Sequence, residues 1–291
     1  MKKLFQIPWL SSALAILLGL YYGTLDIWGD EWTWIKDYKN WHAWIYGILM
    51  LLTIISVIYK AYLNYKSDIL KFEDDQLLKN FLSFIKNIVH AKRTRFYDKV
   101  SLLDITTKRI NFFDEITHPK EQIRYIMAQA VKFFEYYGVE NGHLEMTVLG
   151  AHSTPSDTIF DWKYLLQLDR QRQHTDPNQL MNNPSIAQQA ILQGEPIFLA
   201  DLQEGVDQNV FYKSSRSENA NNVGSIYCKP VTIKIQSITY KFVFTIVSYG
   251  TYLCSPNSEA EAKQLAILLD EIGDRIELEL YLLAMTQHRK R

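Results

Sequence analysis

Ile45-Tyr46-Gly47-Ile48-Leu49-Met50-Leu51-Leu52-Thr53-Ile54-Ile55-Ser56-Val57-Ile58 contains no charged side chain, and the apolar run around it covers residues 41–59. A helix rises about 1.5 Å per residue, so roughly 20 apolar residues cross a hydrocarbon core of about 30 Å. The stretch therefore predicts a membrane-spanning helix. Towards the N-terminus, residues 4–25 are also free of charge, and Pro8, Gly19 and Gly23 within them are tolerated better by membrane helices than by soluble ones. Together the runs predict a two-helix transmembrane hairpin over residues 1–59. Lys2 and Lys3 ahead of Ala13-Leu14-Ala15 also fit a cleaved signal peptide. Cleavage after Ala15, however, would leave too short an apolar region before it.

The cations set the expected orientation. Lys2 and Lys3 precede the first run and Lys60, Lys66 and Lys71 follow the second, whereas the connection 26–40 has four acids against Lys36 and Lys39. Positive charge concentrates on the cytoplasmic side, so the expectation is a multi-pass protein of the cell (inner) membrane with both termini cytoplasmic. Trp28, Trp32, Trp34, Trp41 and Trp44 gather at the outer connection, where indoles favour the headgroup layer.

The chain has 291 residues, which leaves room beyond the hairpin for one domain and a connector. A net charge of -1 makes no case for a nucleic-acid polymer as partner. Cys228 and Cys254 fall on the predicted cytoplasmic side, where thiols stay reduced. In the connector, residues 60–117, Leu63, Leu70, Leu77 and Phe84 recur every seven positions, with Phe81 and Ile88 four beyond the last two. This partial heptad seam predicts either a parallel dimer stalk, hence a homo-oligomer, or packing of the helix on its own domain, and Ser67 and Asp74 interrupt the seam.

Residues 118–291 read as an α+β domain. Pro119 at a first helical position opens a helix with Ile123, Ile126, Met127, Ala130, Val131 and Phe134 on one face, and Gly138 ends it. A strand is expected over 144–150, a weaker partner over 158–166, and a polar loop to Asn183. A short helix over 184–194, an extended piece over 195–201, long strands over 223–233 and 238–249 and a closing helix over 258–285 follow.

That order, with Ser185-Ile186-Ala187, Gly194-Glu195-Pro196-Ile197 and Asp201, then Gly224-Ser225-Ile226-Tyr227-Cys228-Lys229-Pro230-Val231 and Ser255-Pro256-Asn257-Ser258-Glu259, resembles a GAF domain. The resemblance covers roughly residues 119–285. It implies a central antiparallel sheet flanked by helices, and a small molecule held between the sheet and short covering helices, near 201–222 and the strand from Val223. Thr239-Tyr240-Lys241-Phe242-Val243 departs from the family, whose members usually open that strand with glycine.

From the residues themselves, Phe211 and Tyr212 offer ring faces beside the donors Lys213 and Arg216, which suits an anionic or nucleobase-containing ligand. On the following strand Ser225, Tyr227 and Lys229 alternate with apolar residues and share one polar face. These seven are the expected ligand-binding residues. No phosphate loop, hydrolase elbow or metal-ligand spacing occurs, so no enzymatic activity, cofactor or metal is expected. Cys228 on a buried strand reads as a small hydrophobe.

The sequence thus predicts a membrane-anchored, non-enzymatic GAF-like sensor that binds a small ligand, a nucleotide class such as a cyclic nucleotide, and signals through its stalk and hairpin. The alternative, by likeness of architecture, is a membrane-disrupting effector of a bacterial antiphage nucleotide-signalling system, activated by ligand-driven oligomerisation.

Overall fold

The computed structural model describes residues 10–28, 31–101, 117–136, 138–154, 159–169 and 175–290. The expectations placed on Lys2, Lys3, residues 4–9 and residues 102–116 lie outside them. The chain divides into two compact units, Met1–Lys79 and Asn80–Arg291.

The first unit contains α1 (Leu10–Trp28), α2 (Thr33–Asp37) and the opening part of α3 (Lys39–Ser101). Among the described residues one helix is long and apolar enough to cross a membrane, the Lys39–Lys66 part of α3. Its Ile48, Leu51, Val57 and Ile58 side chains are exposed. Of the two expected spans, the first is therefore not matched by length: the apolar part of α1, Ser12–Ile27, is shorter than a full span. Aromatic side chains tie the three helices together. Tyr21 Oη lies 2.7 Å from His42 Nδ1, the Tyr22 and Tyr46 rings are 5.9 Å apart, and Trp34 meets His42 edge-on at 4.8 Å.

The second unit is α+β, built on a five-stranded antiparallel sheet. In chain order it has α4 (Pro119–Tyr136), β1 (Leu144–Ser153), β2 (Lys163–Gln167), α5 (Pro177–Asn182), α6 (Ile186–Gln193), β3 (Ile197–Leu199), α7 (Leu202–Asp207), α8 (Ser215–Asn219), β4 (Gly224–Ile235), β5 (Ile238–Tyr249) and α9 (Glu259–Arg289). The strand order is β2-β1-β5-β4-β3. β4 and β5 pair in register from Gly224 opposite Tyr249 to Ile235 opposite Ile238, and the tight turn between them places Gln236 at φ 53°. A left-handed residue of this kind matches a two-residue turn to the twist of its strands.

Side-chain alternation gives the sheet two different faces. Ile226, Cys228, Val243, Val247, Leu149 and Ala151 pack beneath Ile186, Ala187 and Ala190 of α6 and Leu202 of α7. The opposite face meets α9, whose Leu269, Ile272, Ile276, Leu280 and Leu283 are buried. α4 begins at Pro119 as the proline predicts, and Gly138, at φ 81°, follows its last turn. Its apolar face, including Ile123, Met127 and Phe134, is buried beside α9.

The part of α3 from Asn80 onward belongs to this second unit and packs within it. Phe84 and Ile88 are both 4% exposed, Phe84 lies 5.8 Å from the Phe133 ring of α4, and Gln122 Nε2 donates to the Ile88 carbonyl at 3.3 Å. Lys92 Nζ reaches Glu279 of α9 at 2.7 Å and the Thr117 carbonyl at 3.0 Å. At Phe84 and Ile88 the heptad positions are therefore covered by the chain's own α4. The reason is the row of aromatic rings that α4 presents there.

Candidate functional site

A cavity of about 460 Å³ lies between the sheet and its short helices. Its floor is the outward-alternating set Glu145 and Thr147 of β1, Ile226 of β4, and Thr245 and Val247 of β5. Register explains the grouping, because Glu145 stands opposite Val247 and Thr147 opposite Thr245. Leu180 of α5 and Ser185, Ile186 and Ala187 at the start of α6 form one wall. The loop before α8 and the first turn of α8 supply the other, through Phe211, Tyr212, Ser214 and Arg216, and Tyr164 and Tyr249 close the ends.

Caps hold the short helices at these positions. Asp176 Oδ1 accepts from Gln179 N before α5, Ser185 Oγ accepts from Gln188 N before α6, and Asp201 Oδ1 accepts from Gln203 N before α7. Ser214 and Ser217 form a reciprocal capping box around α8. The last cap fixes the turn that carries Arg216.

Arg216 organises the polar end of the cavity. Nη1 donates to Glu145 Oε2 at 2.9 Å, Nη2 donates to the Gly142 carbonyl at 2.9 Å, and the guanidinium lies 4.4 Å from the Tyr249 ring centre. The Glu145 side chain is only 7% exposed, so this pairing compensates a desolvated carboxylate. Burial raises the Tyr249 phenol, although Arg216 and a hydrogen bond with Ser214 pull the other way. Burial, then the neighbouring Tyr249 and Glu145, push Tyr164 up to about 12, and its hydroxyl donates to the Thr175 carbonyl at 3.0 Å. Both tyrosines are thus neutral hydrogen-bonding groups near pH 7.

Of the seven residues expected to bind ligand, the structure gathers Phe211, Tyr212 and Arg216 in this cavity and sets the other four apart. Lys213 is exposed and does not line it. Ser225 is buried at the strand edge, its Oγ donating to the Ala200 carbonyl at 2.7 Å and accepting from Leu253 N at 3.1 Å. Tyr227 and Lys229 point to α9, on the face opposite Ile226. Tyr227 Oη donates to Asp270 Oδ1 at 2.9 Å, and Lys229 Nζ donates to Asp270 Oδ1 at 2.7 Å and also to Asp274. The expected polar face is present, but α9 takes it up as an ion-paired seam. Burial opposes the Lys229 charge, yet the hydrogen bonds and charges of Asp270 and Asp274 outweigh it and hold its pKa above the usual lysine value.

The cavity residues absent from the expectation include Glu145, Thr147, Tyr164, Thr245 and Tyr249. Glu145 and Thr147 alternate with apolar residues along β1, but nothing in that local pattern says what they would face. Cys228 is fully buried 3.6 Å from Thr245 Oγ1, and burial pushes its thiol up to about 12, which makes it a poor nucleophile. No group of side chains suited to a metal ion occurs among the described residues.

Comparison with protein-family models, with curated proteins and with solved structures gave no match.

Proposed function

We propose that the chain is a membrane-anchored, non-enzymatic sensor whose GAF-like second unit binds one small ligand in the cavity between the sheet and α5 to α8. The observation that carries this reading is the cavity itself. Its volume of about 460 Å³ falls within the range of small-molecule sites, roughly 300–1,000 Å³. Rings from Phe211, Tyr212, Tyr164 and Tyr249 provide the apolar walls of such a site, with hydroxyls on the floor and one ion pair at the end. The GAF-like assignment draws its support from the element order and from the position of the cavity under the short helices. The transmembrane hairpin, with α1 as the partner of the Lys39–Lys66 span, is part of the same proposal.

Charge narrows the ligand class. Arg216 is balanced by Glu145, and Lys213 stands outside, so the wall has no net surplus of cations to hold several phosphates. A nucleoside or a mononucleotide with a single phosphate charge fits better than a cyclic oligonucleotide. Planar bases stack on aromatic rings, and a buried carboxylate with neighbouring hydroxyls reads amino and ring N–H groups. The test is a thermal-shift panel of nucleosides, cyclic mononucleotides and cyclic dinucleotides on the full-length protein in neutral detergent. A ligand at 100 times its Kd adds about 2.7 kcal/mol, a shift of several degrees. Stabilisation by a mononucleoside-sized compound that disappears in Thr245→Phe, which fills the floor, supports the reading. Stabilisation that persists in that variant would move the ligand elsewhere.

A further inference from the structure

The first unit contains a second cavity, of about 560 Å³, where α1, α2 and the first turns of α3 meet. His42 lines it and is only 7% exposed. Its Nδ1 is engaged by Tyr21 Oη at 2.7 Å, while its Nε2 is buried and has no hydrogen-bond partner among the described residues. A buried polar nitrogen left without a partner is destabilising, so a ligand that supplies the partner recovers that cost. The 2.7 Å contact is compatible with the tautomer in which the Tyr21 hydroxyl donates to Nδ1 and the ring proton sits on Nε2, and in that tautomer the missing partner is an acceptor.

The surroundings specify what kind of acceptor. Lys36 and Lys39 line the same cavity, against one carboxylate, Asp26. α3 starts at Lys39, so its first amides and the positive end of its dipole sit at this place. Leu25, Ile35 and Ala43 make the remaining wall apolar. We propose that this cavity is a binding site for a phosphate-type oxyanion, in which His42 Nε2 donates to one oxygen while Lys36 and Lys39 neutralise the charge. The chemistry is common to a phospholipid headgroup and to free phosphate. It is separate from the nucleoside cavity of the second unit and stands whether or not that cavity is filled.

The full-length protein in neutral detergent is titrated with inorganic phosphate at constant ionic strength, and separately with mixed micelles containing phosphatidylglycerol. Tryptophan fluorescence reports on the site, because Trp34 lies 4.8 Å from the His42 ring. Saturable binding of phosphate alone assigns the site to the free ion, and binding only of phosphatidylglycerol assigns it to the headgroup. His42→Ala is expected to weaken the response at least about tenfold, the worth of one charge-assisted hydrogen bond. Because His42 is also a packing residue, the decisive variant is Lys36→Ala with Lys39→Ala, both exposed side chains. A similar weakening there supports the site. No saturable response to either probe, or an unchanged response in the double variant, overturns it.

Discussion

Lys229 shows how one residue can be read correctly as polar and still serve a different end. It lies one strand position from Cys228, on the face that meets α9, where its side chain is 8% exposed and its ammonium pairs with Asp270 and Asp274. Both carboxylates are about half exposed, so the pair is screened, and Lys229→Met is expected to cost only about 1 kcal/mol at pH 7. The pH dependence has a definite sign. The folded-state pKa is raised above 10.5, so the contribution is complete below 10.5 and is lost as pH climbs through the folded value. Urea unfolding at pH 7 and above pH 10.5 should therefore show a gap between wild type and Lys229→Met at the lower pH that narrows as pH rises. A gap that widens with pH would contradict the assignment. At this scale three of the seven anticipated ligand residues met in the cavity, because Phe211, Tyr212 and Arg216 belong to one short segment that runs into the first turn of α8. Glu145, Tyr164 and Thr245 were not legible, since only strand pairing brings them together.

Helix α3 meets α9 through a buried pair. Lys92 and Glu279 are 16% and 10% exposed at the side chain, and burial raises the Glu279 carboxyl despite Lys92. Removing one partner strands the other charge, so Lys92→Met or Glu279→Leu alone should each cost about 3 kcal/mol. Replacing both should restore most of the loss, and a double-mutant cycle measures that recovery. Additive losses would mean that the pair does not interact. Gly273 on α9 is expected to be intolerant for a related reason. A Cβ there would lie 2.5 Å from Lys229 Cδ and 2.8 Å from Tyr227 Oη, so Gly273→Ala should destabilise the fold by about 1–3 kcal/mol in thermal unfolding. An unchanged midpoint would show that the seam has slack.

Element by element, β1, β4, β5, α4 and α9 were legible because their apolar periodicity is long enough to fix both type and face. α5, α7 and α8 were not, being five or six residues long, too short to show a helical period. Their signals were the caps Asp176, Asp201 and Ser214. The heptad seam was legible as apolar spacing, but sequence alone could not say that α4 would cover Phe84 and Ile88.

For the whole molecule, the proposed sensor and a membrane-disrupting effector differ in what ligand binding does to the bilayer. Liposomes carrying the full-length protein and an encapsulated dye should stay sealed when the stabilising compound from the panel is added. Release dependent on that compound would favour the effector. The central claim, a filled small-molecule cavity beneath α5 to α8, is tested most directly by native mass spectrometry of the full-length protein released from detergent. The account predicts a discrete added mass of nucleoside or mononucleotide size, one per chain, that is lost in Thr245→Phe and kept in Lys229→Met. An added mass of cyclic-oligonucleotide size, or one that Thr245→Phe leaves in place, would contradict it.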